Sequence, residues 1–173
     1  MRLLSLDLST SCSGWSVFDD GKLVEFGSVS EKSYKGKSKQ RYPQRTGRVS
    51  KMMCEDLLEI IIKTNPDKIV IEEAAANGIA GVKSIKSLCM SHGILLLLIL
   101  QSNLTVYDSI TFVSPREWRG AVGLKKNGDW KQSSVNLTNK LFGLNLTLTE
   151  NDISDSILLG LGFLKLGGYI EEI

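Results

Sequence analysis

Apolar and polar positions along the chain fall into short alternating or continuous runs separated by longer stretches of helical period. Residues 3–8 read as a buried strand with Asp7 as an anomaly near its end. Residues 14–18 form a second strand and residues 22–29 a third. Asp19, Asp20 and Gly21 between them suit a tight hairpin turn. From Gln44 to Thr64 the apolar residues Val49, Met52, Met53, Leu57, Ile60 and Ile61 recur at helical spacing, and Asn65-Pro66 stops the helix. Residues 68–71 are a fourth strand, ending at Glu72 and Glu73, and a small-residue loop follows. A helix is predicted over 82–101. Its second half (ILLLLIL) is apolar all round, which predicts deep burial. Residues 110–113 give a fifth strand closed by Ser114-Pro115. Residues 116–140 read as two helical pieces around 123–128, and a last helix runs over 152–166. The order β-β-β-α-β-α-β-α-α predicts an α/β fold: a mixed five-stranded sheet, an antiparallel meander plus two further strands, with helices on both faces.

Composition narrows the class. A chain of 173 residues suits one domain over 1–173 with one sizeable core. The apolar run 94–100 is too short to span a bilayer, and the N-terminal stretch MRLLSLDLSTS does not read as a signal peptide. Cys12, Cys54 and Cys89 are odd in number and widely spaced, which speaks against a disulfide framework or zinc site and for a cytoplasmic protein without membrane attachment. His92 is the single histidine, so multi-histidine metal sites are excluded. A catalytic metal would be held by carboxylates, favouring Mg²⁺ or Mn²⁺.

Four carboxylates depart from their surroundings. Asp7 interrupts an apolar strand, Glu72 ends another, and Asp152 and Asp155 share one face at the start of the last helix. Thr149 with Asp152 also reads as a capping box, placing the pair near the positive end of the helix dipole. If the first and fourth strands are neighbours, Asp7 and Glu72 meet at one edge, where the last helix can add the other two. Like charges about 4 Å apart repel by roughly 1–4 kcal/mol. Two Mg²⁺ ions would relieve that repulsion and make a phosphoryl-transfer site. Each acid also has a plain reading: Asp152 as a cap, Glu73 as an exposed neighbour, strand-end acids as solvated groups. The joint pattern carries the argument.

That pattern resembles the RNase H-like superfamily, and within it the RuvC family of Holliday-junction resolvases. The matching segments are LSLDLSTSCSGWSVF, IVIEE, SHGILLLLIL leading to FVSPREWRGAVG, KQSSV and ENDISDSILLGLG, in family order over most of the chain. The resemblance implies an Mg²⁺-dependent endodeoxyribonuclease in which Asp7, Glu72, Asp152 and Asp155 bind two Mg²⁺ ions per site, with Mn²⁺ as a substitute. It implies that Lys131, together with Arg119, contacts the phosphates near the cut. It also implies a homodimer that nicks four-way junctions symmetrically and leaves 5′-phosphates. After Glu72, where the family typically carries an aromatic residue, this chain has Glu73-Ala74-Ala75-Ala76-Asn77. With the basic insertion at 32–41, this fits a phage-type resolvase of looser selectivity, able to cut forks and flaps too.

The net charge of +2 conceals segregation, since 14 of the 21 basic residues lie in 32–51 and 116–140. Arg45, Arg48, Arg119, Lys125, Lys126 and Lys131 are the candidate DNA contacts, and Tyr34, Tyr42, Trp118 and Trp130 could stack on unpaired bases. The loop 30–43 has the composition of a mobile segment and fits either DNA contact or solubility. His92, Met52, Met53 and Met90 read as core, Trp15 as packing on a sheet face, and Cys12 as a turn filler. Two other classes remain. DLSTSCSGWSVF also resembles the phosphate loop of actin-like ATPases and sugar kinases, which need two such domains to enclose ATP. A catalytically silent binding subunit is the other.

Overall fold

The computed structural model describes residues 1–34, 43–74 and 81–170, without the side chains of 33, 34 and 81–83. Five strands, β1 (Arg2–Asp7), β2 (Cys12–Asp19), β3 (Lys22–Ser30), β4 (Lys68–Glu72) and β5 (Ile110–Val113), form one sheet in the order β3-β2-β1-β4-β5. The β1–β2 and β2–β3 pairs are antiparallel, whereas β4 lies parallel to β1 and β5 parallel to β4. The β2–β3 turn is Asp20-Gly21, with φ of 45° and 78°. Two successive positive φ values match the right-handed twist of the flanking strands, and Gly meets that demand without a Cβ clash.

Helices cover both faces. On one face lie α1 (Gln44–Thr64) and α2 (Gly81–Gln101). On the other lie α3 (Pro115–Ala121), α4 (Trp130–Phe142) and α5 (Asn151–Leu166). The central strand β1 shows why. Leu4 and Leu6 point into the α1/α2 core, Leu3 into the α3/α5 core, and all are fully buried. Each such side chain contributes roughly 1.5–3 kcal/mol. Ser5, on the second face, is satisfied by donating to the Ser156 carbonyl at 2.7 Å. The predicted mixed sheet with helices on both faces is the one observed. α1 ends where Asn65 turns left-handed (φ 44°) and its N–H reaches the Ile61 carbonyl at 2.9 Å.

Three local expectations are corrected. The apolar half of α2 is not buried all round: Leu95 and Ile99 are buried, but Leu97 and Leu100 are 52% and 50% exposed. A helix resting on a single layer can bury only one stripe. Ser84–Gln101 is long and apolar enough to cross a bilayer by length and composition. Its inner stripe is nevertheless packed in the core, where Ser91 Oγ donates to Ser50 Oγ of α1 at 2.9 Å. The capping box before α5 uses Thr147 and Glu150, not Thr149 and Asp152, because a short 3₁₀ turn (Leu148–Glu150) precedes the helix. Met52 is 41% exposed, while Met53 is buried.

Candidate active site

The β1–β4 register pairs Leu6 with Ile71, so the next residues, Asp7 and Glu72, stand side by side where two parallel strands end. Opposite Asp7 on β2 is Gly14. A Cβ there would lie 1.8 Å from the Asp152 carbonyl oxygen, so only glycine lets the first turn of α5 rest on β2. This close approach brings Asp152 and Asp155 over the strand ends. Gly162, further along α5, admits the backbone of Trp118 in the same way, since a Cβ would meet it at 3.0 Å. The α3 segment is thereby fixed against α5, and Trp118 with it.

The four carboxylates share one electric field. Asp7 is held far above the ordinary carboxylate range, first by burial and then by the charges of Glu72, Asp155 and Asp152, against which Arg119 acts. Burial also raises Glu72, opposed by a hydrogen bond from Trp118 and by Arg119. Asp155 is raised to about 6, chiefly by burial; a Ser134 hydrogen bond, Arg119 and Lys131 oppose this, and Asp152 adds to it. Among the described residues, no ion pair within 4 Å includes any of the four. Nor do three His, Cys, Asp or Glu side chains converge there into a ready-made metal cage. Still, buried carboxylates that raise one another's proton affinity, with no ion-pair partner within 4 Å among the described residues, suit a hard divalent cation better than a soft metal.

Supporting side chains come from α3 and α4. Trp118 is fully buried and its Nε1–H donates to Glu72 Oε2 at 2.7 Å. It is therefore unavailable for stacking on bases, a correction that follows from its place in the α3/α5 core. The Arg119 guanidinium lies 4.9 Å from the Trp118 ring centroid and 5.0 Å from that of Trp130. From α4, the Ser134 hydroxyl donates to Asp155 Oδ1. Behind it, Ser154 Oγ donates to Ser134 Oγ at 3.1 Å, and Thr138 Oγ1 lies 3.0 Å from Ser154 Oγ. This buried hydroxyl chain orients one catalytic candidate. In the sequence KQSSV points to Lys131, and Trp118 to base stacking; nothing there marks Ser134, or the indole of Trp118 as a donor to a carboxylate.

The other candidates are more spread out. Lys131 is exposed at the start of α4, and its charge reaches Asp155. Lys125 and Lys126 are exposed between α3 and α4. Arg45 and Arg48 are exposed on the first turns of α1. Arg45 lies 4.0 Å from Glu31 and shares a hollow with Thr10 and Ser11 of the β1–β2 turn. Trp130 is partly exposed; Tyr42 and the side chain of Tyr34 lie outside the described residues, as does 35–42 of the basic loop. Cys12 opens β2 beside Asp152, and burial raises its thiol. His92 is buried and meets Phe112 edge-on, with ring centroids 5.4 Å apart. Glu73 is exposed.

The same frame occurs in known proteins. The chain is 29% identical over 165 residues to the crossover junction endodeoxyribonuclease RuvC of Ehrlichia chaffeensis, covering 93% of this chain and 94% of that one. The chain is thus similar to RuvC over nearly its whole length. No protein-family model matches it. Thermus thermophilus RuvC, solved in complex with a Holliday junction substrate, superposes on this chain with a TM-score of 0.69 at 12% identity. The match covers 97% of this chain and 96% of that one. The yeast mitochondrial Holliday junction resolvase superposes with a TM-score of 0.61 at 15% identity, over 96% of this chain and 80% of its own. These likenesses identify the fold as RNase H-like.

Proposed function

We propose that the protein is a structure-selective endonuclease that resolves Holliday junctions. The observation that carries this reading is the gathering of Asp7, Glu72, Asp152 and Asp155 at one end of the sheet in a RuvC-like frame. Two Mg²⁺ ions, or Mn²⁺ in their place, would be held by these four residues and would supply Lewis-acid stabilisation and water activation for in-line hydrolysis. The chain's own groups do the rest. Trp118 and Ser134 fix the orientation of Glu72 and Asp155. Arg119 and Lys131 set positive charge beside the carboxylates, where a phosphate must enter between acids that would otherwise repel it. The products are nicks with 5′-phosphate ends.

A homodimer is part of the proposal. Leu97 and Leu100 expose an apolar face on α2, and a second copy is the partner that fits a symmetric cut on a symmetric substrate. Forks and flaps are proposed as further substrates, because no aromatic side chain stands at Glu73 or Ala74 after Glu72. Incubating the protein with a synthetic four-way junction and Mg²⁺ tests the reading. Paired, symmetric nicks are expected. An ATP-induced rise in melting temperature without cleavage would favour the kinase-like alternative instead.

A further inference from the structure

A cavity of about 590 Å³ opens beside the carboxylates, between the end of β4, the start of α2, and the α3–α4 region. Its apolar walls are Leu88, Pro115, Leu124 and the indole of Trp130, which is 36% exposed. Arg116, which is exposed, and Arg119, stacked on Trp130, line it as well. Glu72 and Glu73 complete the lining on the side of the strand end. Gly120 stands in its wall on α3, and a Cβ there would meet nothing within 4 Å. A volume in the range of small-ligand sites, an aromatic plate, guanidinium groups and adjacency to hydrolytic carboxylates select a flat, apolar-faced ligand attached to a phosphate.

We propose that this cavity receives one unpaired nucleobase, next to the scissile phosphate, stacked on Trp130 while its own phosphate faces Arg116 and Arg119. Glu73 is placed to accept from an exocyclic amino group. In linear duplex the base stays stacked inside the helix, and extracting it is costly. At a branch point it is already loosened. The cavity thus makes the preference for branched DNA a property of base capture as well as of overall shape. The proposal rests on the junction-nuclease reading.

Binding measurements in an Asp7→Asn background keep the DNA intact. A four-way junction is prepared with a single abasic nucleotide at each position flanking the cut in turn. Removal of one particular base is expected to weaken binding about 10-fold, within the range for one base–aromatic stack. Trp130→Leu is expected to weaken the intact junction by a similar factor and to lose nothing further on that abasic junction. Equal losses for Trp130→Leu on intact and abasic junctions would overturn the proposal, since the indole would then act only by holding Arg119. Gly120→Leu fills the cavity from a helical position and should reproduce the abasic loss without lowering the melting temperature. Unchanged binding by that variant would also overturn it. A protein that prefers junctions over linear duplex yet ignores every abasic site keeps the function and loses the pocket. One that shows no junction preference loses the function itself.

Discussion

Trp118 ties two of the site's charges together. Its indole N–H holds Glu72, and its ring carries the Arg119 guanidinium. Trp118→Phe keeps most of the apolar volume but leaves Glu72 without that donor. A lost hydrogen bond to a charged group costs about 1.5–3 kcal/mol. Junction cleavage should fall at least 10-fold while the fold persists, as circular dichroism and a cleavage time course can show. Asp7→Asn and Asp152→Asn should each abolish cleavage and retain junction binding; cleavage surviving in both would remove the metal-site reading. The acids also predict a pH dependence. Asp7, Glu72 and Asp155 bind protons more tightly in the folded chain than in the unfolded one. Their contribution is therefore fully present below the ordinary carboxylate range and is lost as pH rises through the folded values, about 6 for Asp155. For Asp155 alone the change is on the order of 3 kcal/mol. Metal-free protein should melt at higher temperature at pH 5 than at pH 7.5, and Mg²⁺ should raise the melting temperature mainly at pH 7.5. A metal-free protein that is more stable at pH 7.5 would contradict this. The four carboxylates were legible in the sequence because each breaks its local pattern. The donor roles of Ser134 and Trp118 were not: a serine within an amphipathic helix breaks nothing, and Trp118 stood out only as a stacking surface, since its partner on β4 is distant in sequence.

At the scale of elements, legibility followed how local the cause is. The expected bounds of α1 and β5 match the structure, since a helical apolar period stopped by Asn65-Pro66, and a strand closed by Ser114-Pro115, need no distant partner. Burial of α2 needs a partner, and there the expectation failed. Leu97 and Leu100 are as apolar as Leu95 and Ile99, and only the position of the neighbouring layer separates them. That exposed face predicts association. If the proposed homodimer uses that face, Leu97→Lys with Leu100→Lys should leave the protein monomeric in sedimentation without lowering its melting temperature, since neither side chain is buried in the single copy. The docking of α5 makes the opposite kind of prediction. Gly14→Ala forces a Cβ onto the Asp152 backbone, which cannot swing away as a flexible side chain would. A cost of at least about 1–3 kcal/mol is expected, with loss of cleavage, because helix and ligands move together.

Across the whole molecule, the net charge of +2 is a poor guide to the surface. Asp7, Glu72, Asp152 and Asp155 are gathered at one end of the sheet. Basic residues approach that end from two directions: Arg45 beside the Thr10–Ser11 turn that follows Asp7, and Arg119 and Lys131 from α3 and α4. Under the proposed function such an arrangement would bind the phosphate backbone with little regard for sequence, and binding would release counterions. The logarithm of junction affinity should fall linearly with the logarithm of salt concentration. Each phosphate contact removed should flatten that slope by about 0.9. Arg48→Ala and Lys126→Ala, both exposed, are expected to flatten it while leaving the choice between junction and linear duplex intact. Under the proposed function the selectivity has a different origin, in base capture and in how a junction presents its strands to the sheet end. If these variants instead erased the preference for junctions at constant slope, charge would be reading shape directly. The division between backbone affinity and site-level selectivity would then fail.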